Sequence, residues 1–431
     1  MEKEKKVAFY TLGCKVNQYE TNGMIQIFTN AGYKIVPFEE EANIYIINTC
    51  TVTNMSDRKS RQILRQAKKN NPNSIVVAIG CYAQIAKKEI EKIEEIDLVL
   101  GNNEKVNILE YVEKFLKNRN NINIEDIMQN KNYEDFGSVT YTEKTRAVIK
   151  VQDGCDRFCS YCIIPYARGR VRSRNPINVI NEIKEISKKG IKEVVITGIH
   201  VASYGKDFKE KFELIDLLEK INEIEGINRI RLGSIEPLLI TEEFMNRIVK
   251  LKKICHHFHL SLQSGCTKTL QRMNRKYSAE EFENIVKIIR NAYNDVILTT
   301  DIIVGFPEET DEEFEITYNF LKKIKFYKMH IFKYSPRKGT KAANIKNQVS
   351  GDIKELRSKR LIELSDINEN EYLKSYLNKE IEVLFEEFDG EYYKGHTANY
   401  IMVKVKSNDN LTNEIRKVKI KKAEEMKLIA E

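Results

Sequence analysis

Asp153-Gly154-Cys155-Asp156-Arg157-Phe158-Cys159-Ser160-Tyr161-Cys162 sets three cysteines at C-x3-C-x2-C within eight residues. A tight loop with that spacing can aim three thiolates at one small object, and soft thiolates select iron–sulfur clusters, zinc or Cu(I). Three ligands leave the fourth position of a tetrahedral site open, which chemistry needs and a structural site avoids. A zinc knuckle would want a fourth nearby Cys or His, and none occurs between Gly169 and Ile199.

The loop directly follows an apolar run, Arg146–Val151, the first of six that read as strands. The others are Glu193–Thr197, Arg229–Gly233, His257–Leu262, Ile297–Val304 and Lys328–Tyr334. Helical patterns fit between them. One is Glu281–Ala292, with Phe282, Ile285, Val286 and Ile289 on one face. Six βα units over residues 143–371 predict a partial TIM-like (β/α)6 barrel, whose reactive end is the C-terminal end of its strands. The other strand ends carry Gly198 and His200, then Ser234 and Glu236, then Gln263. Glycine permits close backbone approach, while Ser, Glu and Gln can hydrogen-bond a ribose or an amino-acid moiety. His200 could bind substrate or act as an acid–base, although a lone loop histidine is more often only solvated. Arg168, Arg170, Arg172 and Arg174 recur at period two. If extended, that segment presents four guanidinium groups on one side, suited to phosphates and bases. A solvated charge run is the plainer alternative. Cys255 and Cys266 lack partners at ligand spacing and read as packing residues.

Upstream, Val7–Leu12, Asn43–Asn48, Ser74–Ile79 and Asp97–Leu100 alternate with helical patterns at Glu20–Asn30, Ser56–Asn70 and Gln84–Glu95, Ser56 being the expected N-cap. This alternation over residues 1–117 predicts a parallel α/β sheet. Cys14, Cys50 and Cys81 each fall one or two residues past a strand's C-terminal end, the edge where open α/β sheets bind ligands. A buried thiol is the usual fate of one free cysteine. Three at equivalent strand ends point instead to a second three-ligand cluster. Residues 118–142 are polar and Asn-rich and read as a surface linker.

Ser350–Tyr376 reads as a long helix with Ile353, Leu356, Leu361, Leu364 and Ile367 as its apolar side. Over 372–431, short alternating runs predict a five-stranded β-barrel of OB-like size. Residues 394–422 hold eight basic and two acidic side chains, a local +6. Lys417, Lys419 and Lys421 share one strand face there, with Val418 and Ile420 on the other. That face suits an RNA backbone, or serves solubility alone.

The 431 residues suffice for two or three domains. A net charge of +8 and a pI near 8.8 lean basic but stop short of a dedicated nucleic-acid domain. Apolar runs such as Ile44–Ile47 and Ile75–Ile79 are far too short to span a bilayer. Met1–Lys6 carries no apolar signal region, so a cytoplasmic protein with no membrane partner is expected. There, eight cysteines are metal ligands or buried thiols rather than disulfides.

With these motifs placed, the chain resembles the radical S-adenosylmethionine (SAM) methylthiotransferases over almost its whole length. Such enzymes pair an N-terminal three-cysteine domain with a radical SAM domain and a C-terminal TRAM barrel. Thr11–Thr21, Gln152–Cys155, Thr197–His200 and Leu260–Cys266 resemble the branch acting on N6-threonylcarbamoyladenosine (t6A) in tRNA. The resemblance implies two 4Fe-4S clusters. One, on Cys155, Cys159 and Cys162, would bind SAM at its open iron and yield a 5′-deoxyadenosyl radical that takes hydrogen from C2 of an adenine. The other, on Cys14, Cys50 and Cys81, would hold the sulfur to be inserted, and a second SAM would supply the methyl group. Tyr161, Gly198, Ser234, Glu236 and Gln263 are the candidate SAM contacts. Arg168, Arg170, Arg172, Lys417, Lys419 and Lys421 are candidate contacts to a tRNA anticodon stem-loop. Implied partners are an electron donor such as flavodoxin or ferredoxin and a sulfur source. The alternatives are methylthiolation of isopentenyladenosine or of a ribosomal-protein aspartate, and a zinc-stabilised RNA-binding protein without catalysis.

Overall fold

The computed structural model describes residues 5–118, 126–141 and 145–431. Its first sheet comprises β1 (Lys6–Thr11), β2 (Lys34–Val36), β3 (Ile44–Thr49), β4 (Ile75–Gly80) and β5 (Leu98–Val99), all parallel in the order β2-β1-β3-β4-β5. Every residue of β3 and β4 is buried, because helices cover both sheet faces. Met24, Phe28, Val112 and Phe115 pack on one face, and Ile63, Leu64 and Ala67 on the other. Three local expectations are corrected. The three-residue β2 gives too short an apolar signal to read. The second helix spans Asn54–Asn70 and is capped by Thr53, whose hydroxyl accepts from the Ser56 N–H, so Ser56 is not the cap. The helix expected at Gln84–Glu95 is two short ones, Cys81–Ile85 and Lys87–Ile90.

The central strands are β6 (Arg146–Asp153), β7 (Arg172–Ser173), β8 (Glu193–Gly198), β9 (Arg229–Leu232), β10 (Ser234–Ile235), β11 (His257–Gln263), β12 (Ile297–Val304) and β13 (Lys328–Lys333). They form two sheets, β7-β6-β8-β9 and β10-β11-β12-β13, which split at Gly233. All neighbours run parallel except β7, which pairs antiparallel with the end of β6. The result is the expected open (β/α)6 arrangement, with strand residues such as Ile149, Ile196, Leu260 and Ile302 packed in one core with helix residues Ile183, Leu218 and Phe282.

The expected long helix is Gly351–Lys374. Leu361 and Leu364 are buried, but Ile353, Leu356 and Ile367 are exposed. Its buried stripe instead runs through Arg357, Leu361, Leu364, Ser365 and Asn368, at spacings of three and four. Beyond it, β14 (Glu380–Phe388), β15 (Tyr393–Thr397), β16 (Met402–Val405), β17 (Ile415–Glu424) and β18 (Lys427–Ala430) close a barrel in the order β14-β15-β16-β18-β17.

The described part of the expected surface linker, 126–141, is a packed strap. Ile127 and Val139 are buried. Tyr133 donates to the Lys150 carbonyl at 2.8 Å, and Gln26 to the Ser138 carbonyl at 2.8 Å. Phe136 lies edge-on to Tyr19 at 6.3 Å and occupies the space a side chain at Gly23 would need. Its polar composition hid this, because most of its contacts are hydrogen bonds.

Candidate active site

The first cysteine loop is fixed by backbone geometry. Gly154 has φ +70°, and a Cβ there would lie 1.7 Å from the Arg170 carbonyl oxygen, so only glycine fits. The Cys155 N–H donates to Gly169 O at 3.0 Å, and the Ser160 N–H to Met273 O at 3.0 Å. The Asn274 side chain donates to Phe158 O at 3.0 Å. Arg275 then reaches the metal-ligand candidates themselves. Its Nη1 lies 3.3 Å from Cys159 Sγ, while Nη2 lies 2.9 Å from Glu236 Oε2 and 3.0 Å from Ser261 O. Burial pushes the Cys155 thiol up to about 11 and Cys162 up to about 12.

Arg275 joins residues from three strand ends. Glu236 is buried and occupied, by Arg275 and by His200 Nε2 at 3.4 Å. It orients Arg275. His200 is not a solvated loop residue: its Nδ1 lies 2.5 Å from Ser203 Oγ, and its N–H donates to Gln152 Oε1 at 2.7 Å. Ser234 is exposed, with its hydroxyl 2.8 Å from Ser261 Oγ. Gln263 takes φ +74° at an irregularity of the β11–β12 ladder. Gly198 faces Gln152, whose carbonyl oxygen a Cβ would approach to 2.9 Å. Tyr161 packs edge-on to Phe306 at 6.5 Å.

The second triad converges as the strand-end argument requires. Cys14 precedes the helix Lys15–Asn30, Cys50 follows β3, and Cys81 opens its helix directly after β4. A Cβ on Gly13, at φ +99°, would lie 2.8 Å from Cys50 Sγ. Asn17 holds two of these loops together, donating to Leu12 O at 2.7 Å and Thr49 O at 3.1 Å. Burial, reinforced by the Cys81 thiol, pushes Cys50 up to about 11. Ligation requires thiolates, so filling either site displaces protons.

The donor sets suit an iron–sulfur group: each site offers three soft thiols and its loop no fourth Cys or His, which leaves one coordination position open. Among the described residues, His259, Asp301 and His330 also bring three potential ligand atoms within 4.8 Å of one another.

Between the triads lies a buried ion network. Arg168 donates from Nε to Cys81 Sγ at 3.1 Å and from Nη1 to Asp153 Oδ2 at 3.2 Å. Its fork also engages Glu20, with Nη2 to Oε2 at 3.0 Å. Lys150 bridges Glu20 at 2.7 Å and Asp153 at 2.5 Å, and Lys105 pairs with Glu20. Burial alone would raise both carboxyl pKa values. Arg168, Lys105 and Lys150 instead hold Glu20 well below the usual range, and Lys150, Arg168 and Arg172 hold Asp153 at about 2.

This network overturns the reading of the arginine run as an exposed comb. Arg168, Arg172 and Arg174 are essentially inaccessible. Arg172 lies 3.7 Å from Asp153, and Arg174 pairs with Glu182 and with Asp135 of the strap. The segment is not extended throughout: a helix spans Ile164–Arg168, Gly169 turns the chain at φ +73°, and only Arg172–Ser173 forms a strand, paired with the end of β6. Only Arg170 faces solvent, its guanidinium 4.9 Å over the Phe158 ring.

On the barrel, Lys417, Lys419 and Lys421 are exposed on one face of β17, with Val418 and Ile420 inside, as expected. The face is less basic than sequence implied. Glu382 and Glu380 stand opposite Lys417 and Lys419 across the ladder, and Lys421 pairs with Glu431. The barrel docks on the central strands through Arg231, which donates to Ala398 O at 3.0 Å, and Arg229, which donates to His396 O at 2.9 Å. Cys255 and Cys266 are buried packing residues, as expected.

Sequence reasoning missed Arg275, Glu20, Asp153, Lys150 and Lys105. Glu20 shares a helix face with Asn17 three residues earlier, but no spacing pointed to Arg275, which only the fold brings to the loop.

Residues 149–321 match the radical SAM superfamily model, and residues 6–101 match the uncharacterized protein family UPF0004. The chain is 43% identical over 424 residues to the threonylcarbamoyladenosine tRNA methylthiotransferase MtaB of Bacillus subtilis, covering 97% of this chain and 94% of that one. The same enzyme of Aquifex aeolicus is 43% identical over 93% of this chain and 96% of its own length. The tRNA-2-methylthio-N6-dimethylallyladenosine synthase of Clostridium novyi is 34% identical over 99% of this chain and 96% of its own length. Among solved structures, the radical SAM methyltransferase TsrM of Kitasatospora setae superposes with a TM-score of 0.57 at 14% identity. It covers 76% of this chain and 73% of that one, a likeness of fold alone.

Proposed function

Since the chain belongs to the radical SAM methylthiotransferases, we propose that it converts t6A beside the tRNA anticodon to its 2-methylthio derivative. The observation that carries this reading is that Arg168 contacts both Cys81 of one triad and Asp153, the last residue of the strand that leads into the other. When bound, two 4Fe-4S groups and SAM supply the radical, the inserted sulfur and the methyl group.

The chain's own residues hold and orient these parts. Cys155, Cys159 and Cys162 would ligate the SAM-binding cluster, with Arg275 donating to Cys159 and itself fixed by Glu236. Tyr161, Gly198, Ser234, Glu236 and Gln263 would shape the SAM pocket, close to the ends of strands where such barrels react. Cys14, Cys50 and Cys81 would ligate the second cluster. In this reading residues 1–117, 143–371 and 372–431 are the functional divisions, the last a TRAM module. An adenine in a single-stranded loop can be splayed out to reach the site. Arg170, stacked on Phe158, and Lys417, Lys419 and Lys421 would then contact the RNA. Flavodoxin or ferredoxin and a sulfur source complete the partners. No helix among the described residues is long and apolar enough to cross a membrane. A tRNA substrate would place the enzyme in the cytoplasm.

The experiment is mass spectrometry of tRNA nucleosides from a strain lacking the gene. Loss of 2-methylthio-t6A is expected, restored by the wild-type gene but not by Cys81→Ala or Cys159→Ala. Unchanged 2-methylthio-t6A contradicts the proposal, and loss of the isopentenyl derivative alone reassigns the substrate. The 43% identity to the t6A enzymes of Bacillus subtilis and Aquifex aeolicus, against 34% to the dimethylallyl enzyme of Clostridium novyi, favours the first outcome.

A further inference from the structure

Arg168 is the residue in which the two cysteine sites meet. Its guanidinium is fully buried, and its partners divide between them: Cys81 Sγ on one side, Asp153 of the first loop's strand on the other, with Glu20 and Asn17 completing the fork. A lysine presents one point charge and could not span a sulfur and two carboxylates at once. The placement is rigid. Asn102 donates to the Ala167 carbonyl at 2.7 Å and lies 3.7 Å from Cys81 Sγ, tying the short helix that carries Arg168 to the triad.

A charged N–H aimed at a thiolate sulfur stabilises the electron-rich state of whatever metal group that sulfur ligates. Hydrogen bonds to sulfur and burial are among the main controls on iron–sulfur potentials. We propose that Arg168 is a positioning residue that raises the reduction potential of the cluster on Cys14, Cys50 and Cys81 and locks that triad against the other cysteine loop. The inference rests on the two-cluster reading given above.

The test uses the full chain reconstituted anaerobically with iron and sulfide. A Cys155→Ala/Cys159→Ala/Cys162→Ala background leaves only the second cluster, and removes the one beside Arg275. Arg168→Met in that background is expected to shift the midpoint potential to a more negative value, with Arg168→Lys between it and the parent. An unchanged potential, at unchanged iron and sulfide content, overturns the inference while leaving the two-cluster reading intact. Because Arg168→Met leaves Glu20 short of a partner and could unfold the chain, a measurement without substitution at 168 stands beside it. Protein labelled with 15N-arginine is reduced, and pulsed electron paramagnetic resonance reads nitrogen coupling to the second cluster. Coupling is expected, and its absence overturns the inference. Zinc in place of iron and sulfide in the parent chain overturns the functional reading and this inference with it.

Discussion

Arg275 holds its Nη1 3.3 Å from Cys159 Sγ, bringing a buried cation from the turn after the helix Thr267–Arg272 onto a cysteine of the loop after β6. Replacing it removes a charge-assisted hydrogen bond and strands Glu236 without its main partner. Each such bond is worth about 1.5–3 kcal/mol, so Arg275→Met is expected to slow SAM cleavage roughly 10- to 100-fold. The rate of 5′-deoxyadenosine formation reads this directly, and an unchanged rate would remove Arg275 from the site.

Gly154 tolerates no side chain. Its φ of +70° carries a strain of about 1–3 kcal/mol for other residues, and the 1.7 Å approach to Arg170 O adds a backbone clash. Gly154→Ala is therefore expected to lose iron at the first triad while the second still loads. Iron content, compared with Cys159→Ala, is the measurement.

Glu20 anchors the network from the N-terminal side. Removing one partner from a buried ion cluster typically costs about 3–5 kcal/mol, so Glu20→Gln should lower the midpoint of chemical denaturation at pH 7 by that equivalent. The pH dependence follows from the direction of its shift. Burial opposes its charge, but Arg168, Lys105 and Lys150 hold the folded carboxyl well below its unfolded value. Its contribution is thus complete above about pH 4.3, the ordinary glutamate value, and is lost as pH falls through the lower folded value. The wild type should lose stability in acid more steeply than Glu20→Gln, as read by circular dichroism.

Arg170 and Arg172 separate RNA binding from folding. Arg170→Ala removes an exposed cation and should weaken tRNA binding while reducing the salt slope by about one, with the melting temperature unchanged. Arg172→Ala should lower the melting temperature instead, because its side chain is buried beside Asp153. Filter binding over a salt series and a thermal melt distinguish the two.

The cysteines were legible because strand ends can be read from apolar runs, and C-x3-C-x2-C is a local pattern. The same reasoning could place Cys14, Cys50 and Cys81 together because a parallel sheet delivers its strand ends to one edge. What joins the triads was not legible. Arg168, Arg172 and Arg174 look like a solvated run until the Gly169 turn folds them inward, and their carboxylate partners, Glu20, Asp153 and Glu182, lie on distant or differently patterned segments. Likewise the barrel's basic strand was readable, but not its pairing with Glu380 and Glu382, since register across a ladder is a property of the closed barrel.

Iron, zinc and acid-labile sulfide counted per chain after anaerobic purification and reconstitution test the two-cluster account most directly. The account expects about eight iron and about eight sulfide per chain, falling by about half in Cys81→Ala. About one zinc per cysteine triad with no sulfide would contradict it.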